Sequence, residues 1–380
     1  MLCELGGQII DTESDGSGLS SSRSMFASLD YSNAKSISFH WRKSIAAILL
    51  EDGTIRINDI HTSQQLAPID VLHLKQQHSF VVSWRPCSTE TLCCSVRGGL
   101  IFWFFCLFND RLSAAHQDSK KLSHLSVYPF GSKTIDSKAL SLPTAVFISL
   151  PLFYQNDDVT LLDWSVDGSI VVAGSRSAVF LIHVSSRTVF KVLRIRDAFF
   201  TGFAFDNTIL LACKSSVNVL SQHDSLQLYS WKSRKSQSFS AACWFPNSSL
   251  GLVAEGSGIF LVTRKGKSFE LDSNRFDFSQ FFNTDEHRFV SLDSYTLVIA
   301  SMSIDPTGRR LIVSFRNHHP CLLFSISSTF QFSFIGFIQF EDRLGHAVDF
   351  SWCSDETGSL VGIVYGSGFV RLFSCLYSPY

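Results

Sequence analysis

Residues 159–184 contain three short apolar runs that are rich in β-branched residues and separated by polar positions. Asp167-Gly168 stands between the first two runs. Asp-Gly between apolar runs favours a tight hairpin, because both central positions of a type I′ turn need a positive φ. The pattern therefore predicts three antiparallel strands and no helix. The runs are 159–164, 170–173 and 179–184.

The same arrangement recurs along the chain, and seven units can be aligned on one apolar anchor position. Most steps between anchors are close to the roughly 40 to 45 residues of a four-stranded propeller blade, and two longer steps require insertions. We therefore predict an all-β fold, a seven-bladed WD40-like β-propeller with the anchor tryptophans in blade cores. The structural anchors of the blades are Trp41, Trp84, Trp164, Phe205, Trp244, Ile304 and Trp352.

The seventh unit lacks a fourth strand, because its third strand ends near Phe373 and too few residues follow. An incomplete blade would leave an exposed strand edge, which proteins usually avoid. We expect residues 1–10, with Gly7–Ile10 as the strand, to pair into the last blade and close the ring. A frayed terminus is the alternative. Residues 11–36 then form a polar linker, and residues 37–376 form the propeller.

Two segments fall outside the repeat, near 109–158 and 264–299. The first becomes apolar at residues 144–154. Part of this insertion is expected to supply the outer strand of the second blade, and the rest a loop. An eighth, degenerate blade is the alternative for this segment. The second segment is rich in phenylalanine and is predicted to loop out from one rim.

The most apolar run, Leu100–Phe108, is nine residues long, whereas a membrane-spanning helix needs about 20. The run is predicted to be the buried third strand of the second blade. The alternative is an aromatic patch that is exposed for a partner protein. Its residues would be Phe102, Trp103, Phe104 and Phe105.

The net charge of the chain and the motifs in its sequence limit the classes of function that it can have. The net charge is −1 and the pI is near 6.9, so the basic footprint of a nucleic-acid-binding protein is absent from the sequence. The ten cysteines contain no CxxC motif, and adjacent Cys93 and Cys94 should face opposite sides of a strand. We expect reduced thiols in a cytosolic or nuclear protein, and no metal, cofactor or catalytic residues. A hydrolase with a site in the central channel is the enzymatic alternative.

Several stretches together resemble the aladin family of WD-repeat nucleoporins. The resemblance lies in the order and context of these stretches more than in one motif. It covers the start of the chain and nearly all of the repeat region. The stretches are LCELGGQI (2–9), FHWRKSIAAILLEDGTIRIND (39–59), LHLKQQHSFVVSWRP (72–86), GGLIFW (98–103), SIDPTGRRLIVSF (303–315) and VGIVYGSGFVRLFS (361–374).

The resemblance implies a non-enzymatic scaffold subunit of the nuclear pore complex. Such a subunit is peripheral to the nuclear envelope, is held there by a transmembrane nucleoporin, and supports nucleocytoplasmic transport and spindle assembly. A generic WD40 adaptor, such as a ubiquitin-ligase receptor or a trafficking-coat subunit, is the alternative. The chain departs from the family in two places. It has only residues 11–36 where members have a helical stretch, and few residues after Phe373 where they have a tail.

Overall fold

The structure is a computed structural model, and it describes 16 segments of the chain. Two short strands lie at the start of the chain, β1 (Leu2–Leu5) and β2 (Ile9–Asp11). The segments are 2–5, 9–11, 33–42, 45–60, 68–88, 90–105, 143–221, 227–233, 238–246, 248–265, 268–272, 276–281, 297–316, 321–338, 344–354 and 358–376.

The described residues divide into two compact units, and the first, the N-terminal unit, is built on residues 33–194. It contains three four-stranded antiparallel sheets whose strands lie side by side in chain order. The strands are β3 (Ala34–Phe39), β4 (Ile45–Leu50), β5 (Ile55–Asp59) and β6 (Ile69–Val71) in sheet 1; β7 (Val82–Trp84), β8 (Thr91–Val96), β9 (Gly99–Phe104) and β10 (Thr144–Ser149) in sheet 2; and β11 (Val159–Trp164), β12 (Ile170–Ser175), β13 (Val179–His183) and β14 (Thr188–Leu193) in sheet 3.

The second, the C-terminal unit, combines residues 195–376 with β1 and β2 and contains four more antiparallel sheets. Their strands are β15 (Ala198–Phe203), β16 (Ile209–Cys213), β17 (Ser216–Ser221) and β18 (Gln227–Lys232) in sheet 4; β19 (Phe239–Trp244), β20 (Gly251–Glu255), β21 (Gly258–Lys265), β22 (Ser268–Leu271) and β23 (Phe276–Asp277) in sheet 5; β24 (Ile299–Ile304), β25 (Arg310–Phe315), β26 (Cys321–Ile326) and β27 (Phe332–Ile338) in sheet 6; and β28 (Ala347–Ser354), β29 (Gly358–Tyr365) and β30 (Val370–Leu376) in sheet 7. The seven sheets confirm the predicted seven-bladed β-propeller.

The sheets are held together by apolar layers between neighbours. Within the N-terminal unit one layer lies between sheets 1 and 2 and another between sheets 2 and 3. Within the C-terminal unit further layers separate sheets 4 and 5, sheets 5 and 6, and sheets 6 and 7. The inner strands are therefore buried on both faces. All six residues of β4 and all eight of β29 are buried, which explains their continuous apolar sequences.

Five of the seven predicted anchors occupy one equivalent place in their sheets. Four of them end the first strand, and Trp352 pairs with Val361 at the corresponding position of sheet 7. Trp84, Trp164 and Ile304 are buried, whereas Trp244 and Trp352 are half-buried. The four that end a first strand are Trp84, Trp164, Trp244 and Ile304.

The prediction is wrong for the other two anchors, Trp41 and Phe205. In both sheets the anchor position lies two residues earlier in the chain. Trp41 is 42% exposed and Phe205 is 60% exposed, and both lie in the loop that follows the first strand. The buried residues at the equivalent positions are Phe39 and Phe203. The first strand ends there because the next residue starts the turn, and the His40 N–H donates to the Ile45 carbonyl. A shift of two residues keeps the same side of a strand, so the alternating pattern did not reveal it.

The indoles of Trp164, Trp244 and Trp352 also join neighbouring sheets by hydrogen bonds. In these three, Nε1 donates to the residue just before the anchor of the preceding sheet, whereas Trp84 Nε1 is buried without a partner among the described residues. Between sheets 1 and 2 the Trp84 backbone N–H serves instead and donates to Ser38 Oγ at 3.0 Å. These bonds fix the first strands of adjacent sheets relative to each other within each unit. They are Trp164 Nε1 to Ser83 O (3.4 Å), Trp244 Nε1 to Gly202 O (2.8 Å) and Trp352 Nε1 to Ser303 Oγ (3.0 Å).

The Asp167-Gly168 hairpin forms where the sequence places it, but the turn is not type I′. Gly168 has a φ of +67°, and Asp167 is not among the residues with a positive φ. The Gly168 N–H donates to Ser165 O at 2.8 Å, and the Asp167 carboxylate accepts from the Ser165 hydroxyl at 2.6 Å. This hydrogen bond and the one from the Ser169 N–H lower the pKa of Asp167. The aspartate therefore stabilises the loop through its side chain rather than through an unusual backbone conformation.

Both insertions contribute strands to sheets. β10 is the outer strand of sheet 2, as predicted, and residues 106–142 lie outside the described residues. The predicted rim loop near 264–299 is wrong where the structure describes it. β22 is the outer strand of sheet 5, β23 pairs with β21, and the 3₁₀ turn Phe278–Phe281 follows. Phe278 is fully buried between sheets 5 and 6, because a phenylalanine-rich segment gains more from packing than from exposure.

The start of the chain also differs in register from the prediction. Leu2–Leu5 pair with β30 and complete sheet 7, whereas Ile9–Asp11 pair with β27 and add a fifth strand to sheet 6. Gly7 and Gln8, which were expected in the closing strand, lie outside the described residues. Closure of the propeller by this segment stays a prediction.

The anchor geometry predicts graded losses of stability. Trp244→Phe removes the indole bond to Gly202 and part of a half-buried ring, and should lower the free energy of unfolding by about 1 to 2 kcal/mol. Trp164→Ala also removes a buried ring and should lower it by about 3 to 5 kcal/mol. Urea denaturation followed by circular dichroism measures both. Phe205→Ala is the control and should cost less than about 0.5 kcal/mol, because the ring is exposed. An equal cost for Phe205→Ala and Trp164→Ala would contradict the corrected anchor positions.

Candidate functional site

The predicted aromatic patch is wrong, because its residues form the buried third strand of sheet 2. Phe102 packs between sheets 2 and 3, and its ring meets the Trp164 ring edge-on at 5.9 Å. Trp103 and Phe105 pack between sheets 1 and 2, and Phe104 is half-buried against the layer on the other face. Each of these four aromatic rings packs in a layer between two sheets.

The cysteines are mostly buried. Cys93 packs between sheets 2 and 3 and Cys94 between sheets 1 and 2, which confirms that they face opposite sides of β8. Burial raises the pKa of the Cys94 thiol to about 12 and that of Cys375 to about 12. Cys87, in the loop between β7 and β8, is exposed.

Histidines and acidic residues do not converge in the part of the chain that the structure describes. No group of three or more His, Cys, Asp and Glu residues there could hold a metal ion. His73 is buried, and burial together with nearby Lys75 lowers its pKa. His78 is exposed, and His318 and His319 lie outside the described residues.

The most exposed large apolar side chains of the N-terminal unit form two tips. The first tip is Leu72 and Leu74, which follow β6 and are 47% and 83% exposed. The second is Leu152 and Phe153, which follow β10 and are 81% and 96% exposed. Each tip lies in the connection from the outer strand of one sheet to the first strand of the next. The two apolar tips therefore project from the same side of this unit.

The connection that carries the first apolar tip is fixed by a buried glutamine. Gln76 begins the 3₁₀ turn Gln76–His78, and its Nε2 donates to Gly53 O at 2.6 Å. Its Oε1 accepts from Trp103 Nε1 at 3.1 Å. The side chain thereby joins this connection to the turn of sheet 1 and to the third strand of sheet 2. Leu74 is presented on a backbone with little freedom to move.

The connection that carries the second apolar tip is fixed in an equivalent way. Gly98 has a φ of +70°, its N–H donates to Asp157 O at 2.8 Å, and its carbonyl accepts from the Leu150 N–H at 2.9 Å. A Cβ at Gly98 would lie 2.1 Å from the Gln155 carbonyl oxygen, so no other residue fits without a shift of the backbone. Tyr154 closes the 3₁₀ turn and packs edge-on against Phe180 at 5.1 Å. Leu152 and Phe153 extend outward from this fixed base.

Trp41 is a further exposed aromatic residue of the N-terminal unit. Its Nε1 donates to Ser88 O at 2.9 Å, and the Arg42 guanidinium lies 4.4 Å from the ring centroid. Its polar edge and one ring face are therefore already in contact with the protein. The apolar tips have the larger unsatisfied apolar surface and form the candidate interaction surface.

The apolar tips were not predicted from the sequence. Leu72 and Leu74 lie within a stretch used for the family resemblance, and Leu152 and Phe153 lie at the end of the apolar run 144–154. The alternation of apolar residues marks a strand but does not reveal where the strand ends and the connection begins. A proline at 151, directly before Leu152, was the available signal for a strand end.

No protein-family model matches this chain, and no curated protein matches it. None of the described helices is long and apolar enough to cross a membrane. The fold and the two apolar tips are thus the observations that bear on function.

Burial predicts which thiols react with a labelling reagent. Brief treatment of the folded protein with iodoacetamide at pH 8 should modify Cys87 and spare Cys93, Cys94, Cys243 and Cys321, because access and ionisation both control thiol reactivity. Peptide mass spectrometry gives the extent at each site, and labelling in urea is the control. Rapid modification of Cys94 in the folded state would contradict the assigned packing of β8.

The buried thiols also predict a loss of stability at alkaline pH. Unfolded cysteines release their protons near pH 9.0, while folded Cys94 and Cys375 keep theirs until about pH 12. The unfolded state therefore binds fewer protons between these values, and the free energy of unfolding falls as pH rises. The slope of stability against pH from 9 to 11 should be shallower in Cys94→Ala than in Cys87→Ala, which removes an exposed thiol. Equal slopes would show that Cys94 is not buried as described.

Proposed function

We propose that this protein is a non-enzymatic scaffold subunit that binds other proteins, and that it acts at the nuclear pore complex. The observation that carries the scaffold proposal is the pair of apolar tips on a fixed propeller framework. β-Propellers commonly serve as such scaffolds. The nuclear pore proposal is supported by the family resemblance of the sequence.

Binding through the apolar tips follows from their exposure and their fixed backbone. Complete burial of a leucine or phenylalanine side chain contributes roughly 1.5 to 3 kcal/mol. Interfaces obtain most of their affinity from a few such anchors, and a preorganised loop loses little conformational entropy on binding. Leu74 and Phe153 are therefore proposed as anchors, and the fixing contacts of Gln76 and Gly98 as the source of preorganisation.

The partner proposed for this surface is a transmembrane nucleoporin, as the resemblance to the aladin family implies. One of the resembling stretches, residues 72–86, contains Leu72, Leu74 and Gln76. Docking there would hold the protein at the periphery of the nuclear envelope, from which it would support nucleocytoplasmic transport and spindle assembly. The role is passive, since the propeller would position partners without a chemical step.

A fluorescent fusion tests this proposal. The wild-type fusion should give a nuclear rim signal that disappears when the membrane nucleoporin is depleted. The double variant Leu152→Ser and Phe153→Ser should lose most of the rim signal at an unchanged melting temperature, because exposed side chains contribute little to folding.

The matched control is Phe205→Ser, which alters an exposed phenylalanine of the C-terminal unit and should keep the rim signal. A wild-type fusion that never reaches the rim would contradict the nuclear pore proposal and favour an adaptor in another complex. A rim signal that survives in the double variant would contradict the proposed role of the second apolar tip, but not the nuclear pore proposal itself.

A further inference from the structure

The outer edges of sheets 6 and 7 are covered by a segment distant in sequence. In sheets 1 to 5 the outer strand comes from the same stretch of chain as its neighbours. In sheet 7 the outer strand is β1, and in sheet 6 β2 is added beyond β27. The start of the chain thus supplies one strand, β1 or β2, to the edge of each of two adjacent sheets.

The strands that pair with β1 and β2 are β30 and β27, and buried side chains hold both of them in place. Leu372, Phe373 and Cys375 stand opposite β1 and are buried in sheet 7. Phe337 and Ile338 stand opposite β2 and are buried between sheets. Their backbones therefore keep an extended conformation and present hydrogen-bonding groups in a set register. This is the geometry to which an extended peptide binds by strand addition.

The covering strands are shorter than the edges that receive them. β30 has seven residues, and β1 pairs with four of them, Leu372–Cys375. β27 also has seven residues, and β2 pairs with three, Gly336–Ile338. Short terminal pairings open locally more easily than the rest of a sheet, because few hydrogen bonds hold them.

From this geometry we propose that the edges of β27 and β30 form a strand-docking site. The resident strands are the chain's own β1 and β2, and the partner that fits the site is an extended peptide of another protein that displaces them. The site lies in the C-terminal unit, so it does not depend on the apolar tips or on the nuclear pore proposal. Its recognition chemistry is main-chain hydrogen bonding in antiparallel register.

A disulfide tests the resident pairing in the full-length chain. Cys3 stands opposite Ser374, so Ser374→Cys in a Cys87→Ser background should form an intramolecular disulfide on mild oxidation. Arg371→Cys is the matched control, because residue 371 of the same strand lies beyond the residues paired with β1. Peptide mapping and non-reducing electrophoresis identify the bond. Absence of the Cys3–374 bond, or its formation mainly between two molecules, would overturn the proposal.

A peptide in trans tests docking itself. The probe is a fluorescein-labelled peptide with the sequence of residues 1–11, measured by fluorescence anisotropy. Glu4→Pro with Ile10→Pro in the full chain weakens both resident strands, because proline removes a backbone donor and disfavours a strand. This variant should bind the probe at least tenfold more tightly than wild type, since the resident segment competes at a high effective concentration.

Two controls test whether the probe binds at the strand edges in a sequence-dependent way. A scrambled peptide should bind neither protein, and oxidised Ser374→Cys should bind the probe more weakly than its reduced form, because the disulfide holds the resident strand in place. Equal binding of the probe to wild type and to the proline variant would overturn the proposal. No binding to a proline variant that keeps the wild-type circular dichroism spectrum would overturn it as well.

Discussion

The contact between the first strands of neighbouring sheets is the interaction on which the rest of the structure depends. A single four-stranded sheet of this chain cannot bury its apolar residues alone, because its middle strands are apolar on both faces. Within each unit, a large side chain at or near the end of a first strand packs against the preceding sheet. In three sheets its indole N–H also bonds to that sheet. Apolar packing contributes most of the stability of this contact. The hydrogen bond fixes the position of one first strand relative to the next.

The position of the exposed surface follows from this constraint. Once the inner strands are fixed, the connections between sheets have little freedom. The contacts of buried Gln76 and of Gly98, whose positive φ suits glycine, reduce it further. The apolar side chains of Leu74 and Phe153 lie outside the buried layers between sheets 1, 2 and 3 and are exposed to solvent. Exposed apolar side chains of this kind are typical of an interaction surface.

Much of the fold could be predicted because the repeat and the strand pattern are local properties of the sequence. The seven units, the third strand Gly99–Phe104 and the opposite faces of Cys93 and Cys94 follow from alternation and spacing. Trp41 was misplaced because positions two apart on a strand share a face, and only the turn hydrogen bond decides between them. Phe278 was misplaced because a short aromatic segment between strands does not reveal whether a layer has room for it.

The two units carry different proposed binding surfaces, and the sequence indicates one of them better than the other. The N-terminal unit exposes apolar side chains, and their exposure depends on which neighbouring layers are filled, which no local pattern reports. The C-terminal unit has two main-chain edges that the start of the chain covers, and the need for a strand at β30 follows from counting, since the seventh unit has three strands of its own. The identity of the covering residues does not follow from counting. Both Leu2–Leu5 and Ile9–Asp11 have the length and composition of an edge strand, and the second edge, at β27, already had its four strands. A sheet that already has four strands can therefore still accept a fifth when buried residues hold its outer strand in an extended conformation.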